Sequence, residues 1–236
     1  SYTDLAGNAG PSETTANYEV ETWAPSVNVN GVEITSATDI QNNFLNAGDN
    51  VSVTVTFRES VIVDNASGTP TLTLVVGTTN PKATYTSGSG GTTLVFQYTI
   101  QAGDNDTDGI SIGADVLALN NGTIRDPAGN NATLTHSAVS DNSSYKVDTT
   151  PPTVSSVAIT SATGIQNNLL NAGDNVSVTV TFSENSPVTG TPQLTLAVGD
   201  DNQTATYASS GNGGTTLVFK YTIQAGDNDT NGISIG

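Results

Sequence analysis

The stretch ITSATDIQNNFLNAGDNVSVTVTF, residues 34–57, returns 125 positions later as ITSATGIQNNLLNAGDNVSVTVTF, residues 159–182. A second stretch, QAGDNDTDGISIG at residues 101–113, returns as QAGDNDTNGISIG at residues 224–236. Self-similarity at a nearly constant spacing is typical of tandem repeats. Tandem repeats of this kind indicate a protein that needs length, stiffness or multivalency rather than a single catalytic centre. We therefore predict that the chain is not an enzyme.

The ends of the chain extend this pattern and set the predicted boundaries. TIRDPAGN at 123–130 and YKVDTTPP at 145–152 have counterparts in YTDLAGN at 2–8 and YEVETWAP at 18–25. We interpret residues 1–25 as the tail of a preceding repeat, residues 26–150 as a complete repeat, and residues 151–236 as a third repeat truncated before its last strands. Both ends fall inside repeats, so we expect a window on a longer protein. The short, proline-bearing linkers predict neighbouring repeats that sit end to end with restricted bending.

The strand signal is a strict alternation of apolar and polar residues. Val51, Val53, Val55 and Phe57 alternate with Ser and Thr, and residues 176–182 repeat the pattern. Residues 94–100 and 217–223 alternate in the same way, and a shorter run covers residues 72–76. Period two indicates strands with one buried face. With about seven strands per repeat, we predict an all-β fold of tandem immunoglobulin-like antiparallel β-sandwich modules joined end to end.

Charged residues are few, and most of them are acidic. Charged residues make up 11% of the chain, and 22 acids face 5 bases for a net charge of −17. Such a surface repels nucleic acid and anionic membranes, so we expect neither as a partner. No apolar run is long enough to insert into a membrane in this window. There is no cysteine, so no disulfide stabilises these repeats. Clustered carboxylates need neutralising, and Ca²⁺ is the cofactor that their chemistry favours.

The most specific motif has the spacing of a calcium loop. The D-x-D-x-D-G pattern at residues 104–109 recurs as D-x-D-x-N-G at residues 227–232. In such loops alternate oxygens converge on one ion while the glycine permits a sharp turn. The alternative is an Asx-rich turn that holds no ion. The predicted ligands are Asp104, Asp106, Asp108, the closing residue Asp115, and the second-copy residues Asp227, Asp229 and Asn231.

A second set of acids recurs near the predicted ends of the repeats. If seven strands alternate in direction, Glu59 after the Val51–Phe57 strand and Asp126 after the sixth strand lie at the same end, where the linker residue Glu21 arrives. One repeat later, Asp148 and Glu184 take the corresponding positions. We predict an ion shared between repeats at each such junction, with solvated acids at loop ends as the alternative.

At this point the chain resembles a known family. The motifs VTFxE, AGDNDTDGISI, DPAGNNATL and VDTTPPTV are similar to those of bacterial immunoglobulin-like, cadherin-like repeats. Such repeats form the extender regions of giant secreted adhesins, including RTX-type surface adhesins. The resemblance covers essentially the whole chain. It implies β-sandwiches, calcium at junctions that include Glu21, Glu59, Asp126, Asp148 and Glu184, and an extracellular location at the bacterial cell surface. It also implies a role in cell adhesion and biofilm formation, with neighbouring repeats as the partners.

Two other kinds of function compete with this interpretation. A carbohydrate- or partner-binding module needs an exposed aromatic platform, and outside the predicted core only Trp23 and Tyr2 offer one. An extracellular filament or sheath subunit could assemble by strand addition, with one copy's N-terminal segment completing the next copy's last repeat. His136 is the single histidine of the sequence and has no counterpart elsewhere in it, which disfavours a histidine-based catalytic centre.

Overall fold

The computed structural model describes residues 2–10 and 17–236, so residues 1 and 11–16 of the predicted first tail lie outside the described part. The chain forms two compact units, the first reaching to Thr150 and the second running from Pro151 to Gly236. This division falls within the proline-bearing linker. The separation of residues 1–25 from the repeat that follows stays a prediction.

Within residues 2–10 and 17–150, the first unit forms ten strands, several of only two or three residues. They are β1 (Val27–Ala37), β2 (Phe44–Leu45), β3 (Asn50–Asp64), β4 (Thr71–Thr73), β5 (Lys82–Ser87), β6 (Gly91–Thr99), β7 (Asn105–Asp106), β8 (Leu117–Ala118), β9 (Thr123–Arg125) and β10 (Lys146–Asp148). One sheet has the order β1-β3-β6-β5-β4-β8, and β9 pairs with β3. A second, three-stranded sheet has the order β2-β10-β7.

The second unit reproduces the large sheet. Its strands are β11 (Val154–Thr163), β12 (Asn175–Phe182), β13 (Gln193–Val198), β14 (Asp201–Gly211), β15 (Thr216–Thr222) and β16 (Ser234–Ile235), with a 3₁₀ turn at Asn212–Gly214. The order β11-β12-β15-β14-β13-β16 matches β1-β3-β6-β5-β4 strand for strand over its first five members. The register matches as well, since Val51 lies opposite Tyr98 and Val176 lies opposite Tyr221.

The strands predicted from alternation are confirmed. Val51, Val53, Val55 and Phe57 are all buried while the residues between them are half-buried. Their inward faces form one apolar core in each unit. The protein is all-β, and its sheets are antiparallel except where β10 runs parallel to β2. No helix in the described ranges is long and apolar enough to cross a membrane.

Two details differ from the sequence expectation. The described part of the first unit has ten strands rather than about seven, because two- and three-residue strands leave no periodic signal. Glu59 was placed just after a strand ending at Phe57, and this is wrong. Strand β3 continues to Asp64 because Val61, Ile62 and Val63 prolong the β-forming run, and residues 62–64 pair with β9. Glu59 therefore lies inside β3, at an irregularity between Thr56 and Val61.

Candidate functional site

The first predicted calcium loop is held by hydrogen bonds within the protein. Asp104 is buried, and its Oδ2 accepts from the Tyr98 hydroxyl at 2.6 Å and from the Gln101 N–H at 2.9 Å. Burial of the ring and the bond to Asp104 raise the pKa of Tyr98 to about 12. The carboxylate thus anchors the turn after β6 to the end of that strand.

The second copy builds the same anchor. The Tyr221 hydroxyl donates to Asp227 Oδ2 at 2.6 Å, and the Gln224 N–H donates to the same oxygen at 2.8 Å. Burial and this bond raise the pKa of Tyr221 to about 12. Sequence reasoning did not assign Tyr98 or Tyr221 to the loop. Their signal was present, since each stands six residues before its aspartate in both copies.

The next aspartate bridges two separate turns. Asp106 is buried, its Oδ2 accepts from the Gly77 N–H at 2.8 Å, and its Oδ1 accepts from the Gly109 N–H at 2.8 Å and the Asp108 N–H at 3.2 Å. Gly77 has φ +55°, and a Cβ there would collide with the carbonyl oxygen of Asn105. Only glycine therefore lets the two turns approach this closely.

Asp229 repeats this bridge in the second unit. Hydrogen bonds from the N–H groups of Gly199, Asn231 and Gly232 lower the pKa of Asp229, against a smaller opposing effect of burial. Gly199 has φ +63°, and a Cβ there would collide with the carbonyl oxygen of Asn228. Both aspartate bridges therefore depend on a glycine that is distant in sequence.

The other two predicted ligands of the first loop, Asp108 and Asp115, accept hydrogen bonds from different groups. Asp108 accepts from the Thr107 hydroxyl at 2.9 Å. Asp115 accepts from the His136 N–H at 2.8 Å, and His136 Nε2 accepts from the Val116 N–H at 3.1 Å. Because Nε2 accepts, Nδ1 carries the proton and donates to the Ser137 carbonyl at 2.9 Å. His136 and Asp115 thus fasten residues 115–116 to the segment that follows β9.

The acids predicted at the ends of the repeats divide into two groups. Asp126 is buried and accepts from both the N–H and the side-chain amide of Asn130 at 2.7 Å. Burial opposes its charge, but the hydrogen bonds from Asn130, Gly129 and Ala128 prevail and lower its pKa. The same amide reaches the carbonyl of Glu21 at 3.4 Å, so the structure brings Glu21 and Asp126 together through Asn130.

The other three acids of this set lie in three different local settings. Glu59 lies within β3. Asp148 ends β10 and accepts from the Thr150 N–H at 3.0 Å. In the second unit, the carbonyl of Glu184 accepts from the Ser186 hydroxyl at 3.2 Å.

The N-terminal segment repeats the Asp126 turn. Asp4 accepts from the Asn8 N–H and from its side-chain amide, both at 2.9 Å. The side-chain and backbone hydrogen bonds from Asn8 lower the pKa of Asp4. Thr3 bridges Ala9 as Arg125 bridges Asn131. The recurrence of Asp4 and Asp126 is thus accounted for by a shared turn.

Across residues 2–10 and 17–236, no group of three or more His, Cys, Asp or Glu side chains is arranged to hold a metal ion. In both loops the first two aspartates accept hydrogen bonds from N–H and hydroxyl groups. The calcium loop and the Asx turn both stay predictions for these residues. No protein-family model, curated protein or solved structure matches the chain.

Proposed function

We propose that the two units are immunoglobulin-like β-sandwich repeats from the extender region of a bacterial surface adhesin. In this role they are extracellular, non-catalytic spacers that hold a distal binding domain away from the cell, and their partners are the neighbouring repeats of the same chain. The motifs shared with bacterial cadherin-like repeats support this proposal, as does the one-sided acidic surface.

One observation carries the proposal: the second unit reproduces five strands of the first unit's large sheet in order and register, together with the anchoring of the aspartate loop. Tyr98 and Asp104 correspond to Tyr221 and Asp227, and each pair makes the same 2.6 Å bond. Repetition down to single hydrogen bonds makes the two units equivalent building elements, which is what a spacer requires.

Solution scattering of a protein with several repeats tests the spacer role. Each repeat should add roughly 40 Å to the maximum dimension, from strands of about eight residues at about 3.3 Å each plus loops. Units that collapse on one another, so that length stops growing with repeat number, would refute it.

Calcium stiffening is a separable part of the proposal. It is supported by 22 acids against 5 bases and by the recurrence of the aspartate loop in both copies. If calcium binds only the folded state, concentrations of about 1 mM should raise the melting temperature and chelation should lower it. Coincident melting curves in calcium and in chelator would remove calcium and leave the spacer role standing.

The double variant Asp148→Ala with Glu184→Ala tests the predicted junction ion. If calcium stiffens the array there, scattering in calcium should change to the profile measured in chelator, while the melting temperature of each unit stays close to that of the parent. If the variant stays as extended as the parent, these two acids do not hold a stiffening ion.

A further inference from the structure

A polar cavity lies in the first unit, between the beginning of β1 and the segment that follows β9. It encloses about 380 Å³, which is within the range of about 300–1,000 Å³ that is usual for small-molecule sites. Its lining includes Asn28 and Val29 of β1, Arg58 of β3, and the more distant residues Asp115, Thr135 and Ser137. The cavity therefore combines hydrogen-bond donors and acceptors with one aliphatic side chain and one cation.

One wall of the cavity is an enlarged bulge of β1. Residues 28–31 lie between two register positions of this strand and face Thr56 alone. In the second unit only residues 155–156 lie opposite the equivalent Thr181. The larger bulge carries Val29, which is 76% exposed. Bulges are frequent beside active sites, where they redirect a side chain, and this one turns Val29 towards the cavity.

A second wall is held rigidly by hydrogen bonds within the protein. The Asp115 N–H donates to the His136 carbonyl at 3.2 Å, and the His136 N–H donates back to Asp115 Oδ1 at 2.8 Å. His136 is 8% exposed, and its two ring nitrogens are engaged by the Val116 N–H and the Ser137 carbonyl. This wall is in place before a ligand arrives, and such preorganisation lowers the entropic cost of binding.

Arg58 supplies the cation of the cavity, in a chain that has 5 basic residues and a net charge of −17. Its main-chain N–H donates to the Ser26 carbonyl at 2.9 Å, and its side chain is exposed. Within residues 2–10 and 17–236, no hydrogen bond or ion pair engages the guanidinium. The second unit has Ser183 at this position, so the sheet does not need the arginine. The guanidinium offers a planar fork of donors that matches a carboxylate.

We infer that this cavity is a binding site for a hexuronate, an acidic sugar that carries one carboxylate and several hydroxyls. Arg58 pairs with the carboxylate, and the exposed Val29 packs against the C–H face of the sugar ring. The Asn28 amide and the hydroxyls of Thr135 and Ser137 exchange hydrogen bonds with the sugar hydroxyls. An extended peptide fits less well, because the bulge interrupts the regular strand edge that strand addition needs. The site is independent of the proposed spacer role.

The charge of the protein limits the affinity that this site can reach. The net charge of −17 opposes an anionic ligand, although salt of about 0.15 M screens acids farther away than about 8 Å. Asp115 is the acid that lines the cavity itself, and its Oδ1 already accepts the His136 N–H. We therefore expect weak binding, with a dissociation constant of about 1 mM.

The single histidine of the chain provides an NMR reporter for this cavity, because His136 lines it. Sodium glucuronate is titrated into the 236-residue protein at a constant ionic strength of about 0.15 M. The His136 Hε1 resonance should move along a saturating curve with a dissociation constant of about 1 mM. Glucose lacks the carboxylate and acetate lacks the hydroxyls, so each should bind at least about tenfold more weakly.

Variants that copy the second unit test the two features that distinguish this cavity. Arg58→Ser introduces the residue found at position 183, and deletion of Asn30 and Gly31 restores the shorter bulge. Each should weaken glucuronate binding at least about tenfold, and Arg58→Ser should leave the urea midpoint unchanged. Lys82→Ser removes a positive charge from an exposed position of β5 outside the cavity, and it should bind like the parent.

Several outcomes would overturn the hexuronate site. The first is a His136 resonance that shows no saturating shift up to about 10 mM glucuronate. The second is an Arg58→Ser variant that binds as tightly as the parent, and the third is a Lys82→Ser control that loses binding as strongly as Arg58→Ser. Equal binding of acetate would leave only an unspecific anion site, and equal binding of glucose would remove the role of Arg58. Either of these two results would also overturn the assignment of an acidic sugar.

Discussion

Strands β1 and β11 share most of their sequence, yet one is covered and the other faces water. Val32 and Ile34 of β1 are 4% and 8% exposed, whereas their counterparts Val157 and Ile159 are 37% and 40% exposed. Both strands pair in the same register with an equivalent neighbour. The difference therefore does not come from the strand or from its sheet.

The tail of the repeat accounts for the contrast. In the first unit, Leu117, Ile124 and Val147 belong to the same buried cluster as Val32 and Ile34. The second unit ends at Gly236, the counterpart of Gly113, and the described residues beyond Pro151 include no equivalent of β8, β9 or β10. The large sheet forms without the tail strands β8, β9 and β10. These strands determine whether the face that carries Val32 and Ile34 is buried or exposed to solvent.

The largest expected effect comes from removing the tail's central side chain. Val147→Asp places a charge where no water reaches, and should lower the free energy of unfolding of the first unit by about 4 kcal/mol. Hydrogen exchange read by mass spectrometry should then show β1 exchanging as fast as β11. Val154→Asp, at a site 55% exposed, should change little. Unaltered exchange in β1 would show that the tail does not cover it.

Glycine substitutions at equivalent positions should destabilise both units equally, because both units contain the same close approach of two turns. Gly77→Ala and Gly199→Ala force a Cβ against a carbonyl at positive φ, and each should cost its unit about 2–3 kcal/mol. Gly48→Ala and Gly173→Ala share positive φ but have open space around the new Cβ. These controls should cost about 1 kcal/mol. Urea denaturation measures the free energy of unfolding of all four variants. Equal losses at the clashing and the open sites would show that the close approach does not require glycine.

A matched valine pair measures the contrast directly. Val32→Ala deletes buried methyl groups and should destabilise the first unit by about 2 kcal/mol, while Val157→Ala should cost the second unit less than about 1 kcal/mol. Both substitutions are read from denaturant midpoints at constant slope. Equal losses would mean that the second unit's face is covered in solution.

The smallest effect concerns the two tyrosines at alkaline pH. Their folded pKa of about 12 lies above the ordinary value of 10.0, so the folded chain keeps a proton that the unfolded chain releases. This contribution to stability is complete below pH 10 and is lost as the pH rises towards 12. Tyr98→Phe and Tyr221→Phe should each make stability fall less steeply over that range. An unchanged slope would show that these hydroxyls do not couple to folding.

Much of the fold could be predicted from local pattern. The alternation from Val51 to Phe57 repeats what a half-buried strand requires, and it predicted β3 and β12. The strands of two or three residues could not be predicted, because their pairing is decided by distant partners. Leu117 of β8 pairs with Leu72, and Val147 of β10 pairs with Leu45. A window of a few residues carries no trace of either.

The two aspartate loops show that a local sequence pattern also fails to predict the partners of individual side chains. Alternating aspartates before a glycine suit both a calcium loop and an Asx turn, because each needs oxygens directed inward at a tight bend. What Asp104 and Asp106 accept from is set by Tyr98 and Gly77, which lie outside the motif. Recurrence in the second copy could have identified these partners, since Tyr221 and Gly199 stand at matching positions.

The pairing of β10 with β2 also has a consequence for biogenesis. Val147 meets Leu45 about 100 positions earlier in the chain, a separation that makes closure slow. While a repeat is being synthesised, the gap between its β2 and β7 strands stays open until its last residues emerge. Any near-identical repeat that already exposes its own terminal strand can enter first, so a tandem array of this design carries a built-in hazard of strand exchange between neighbours.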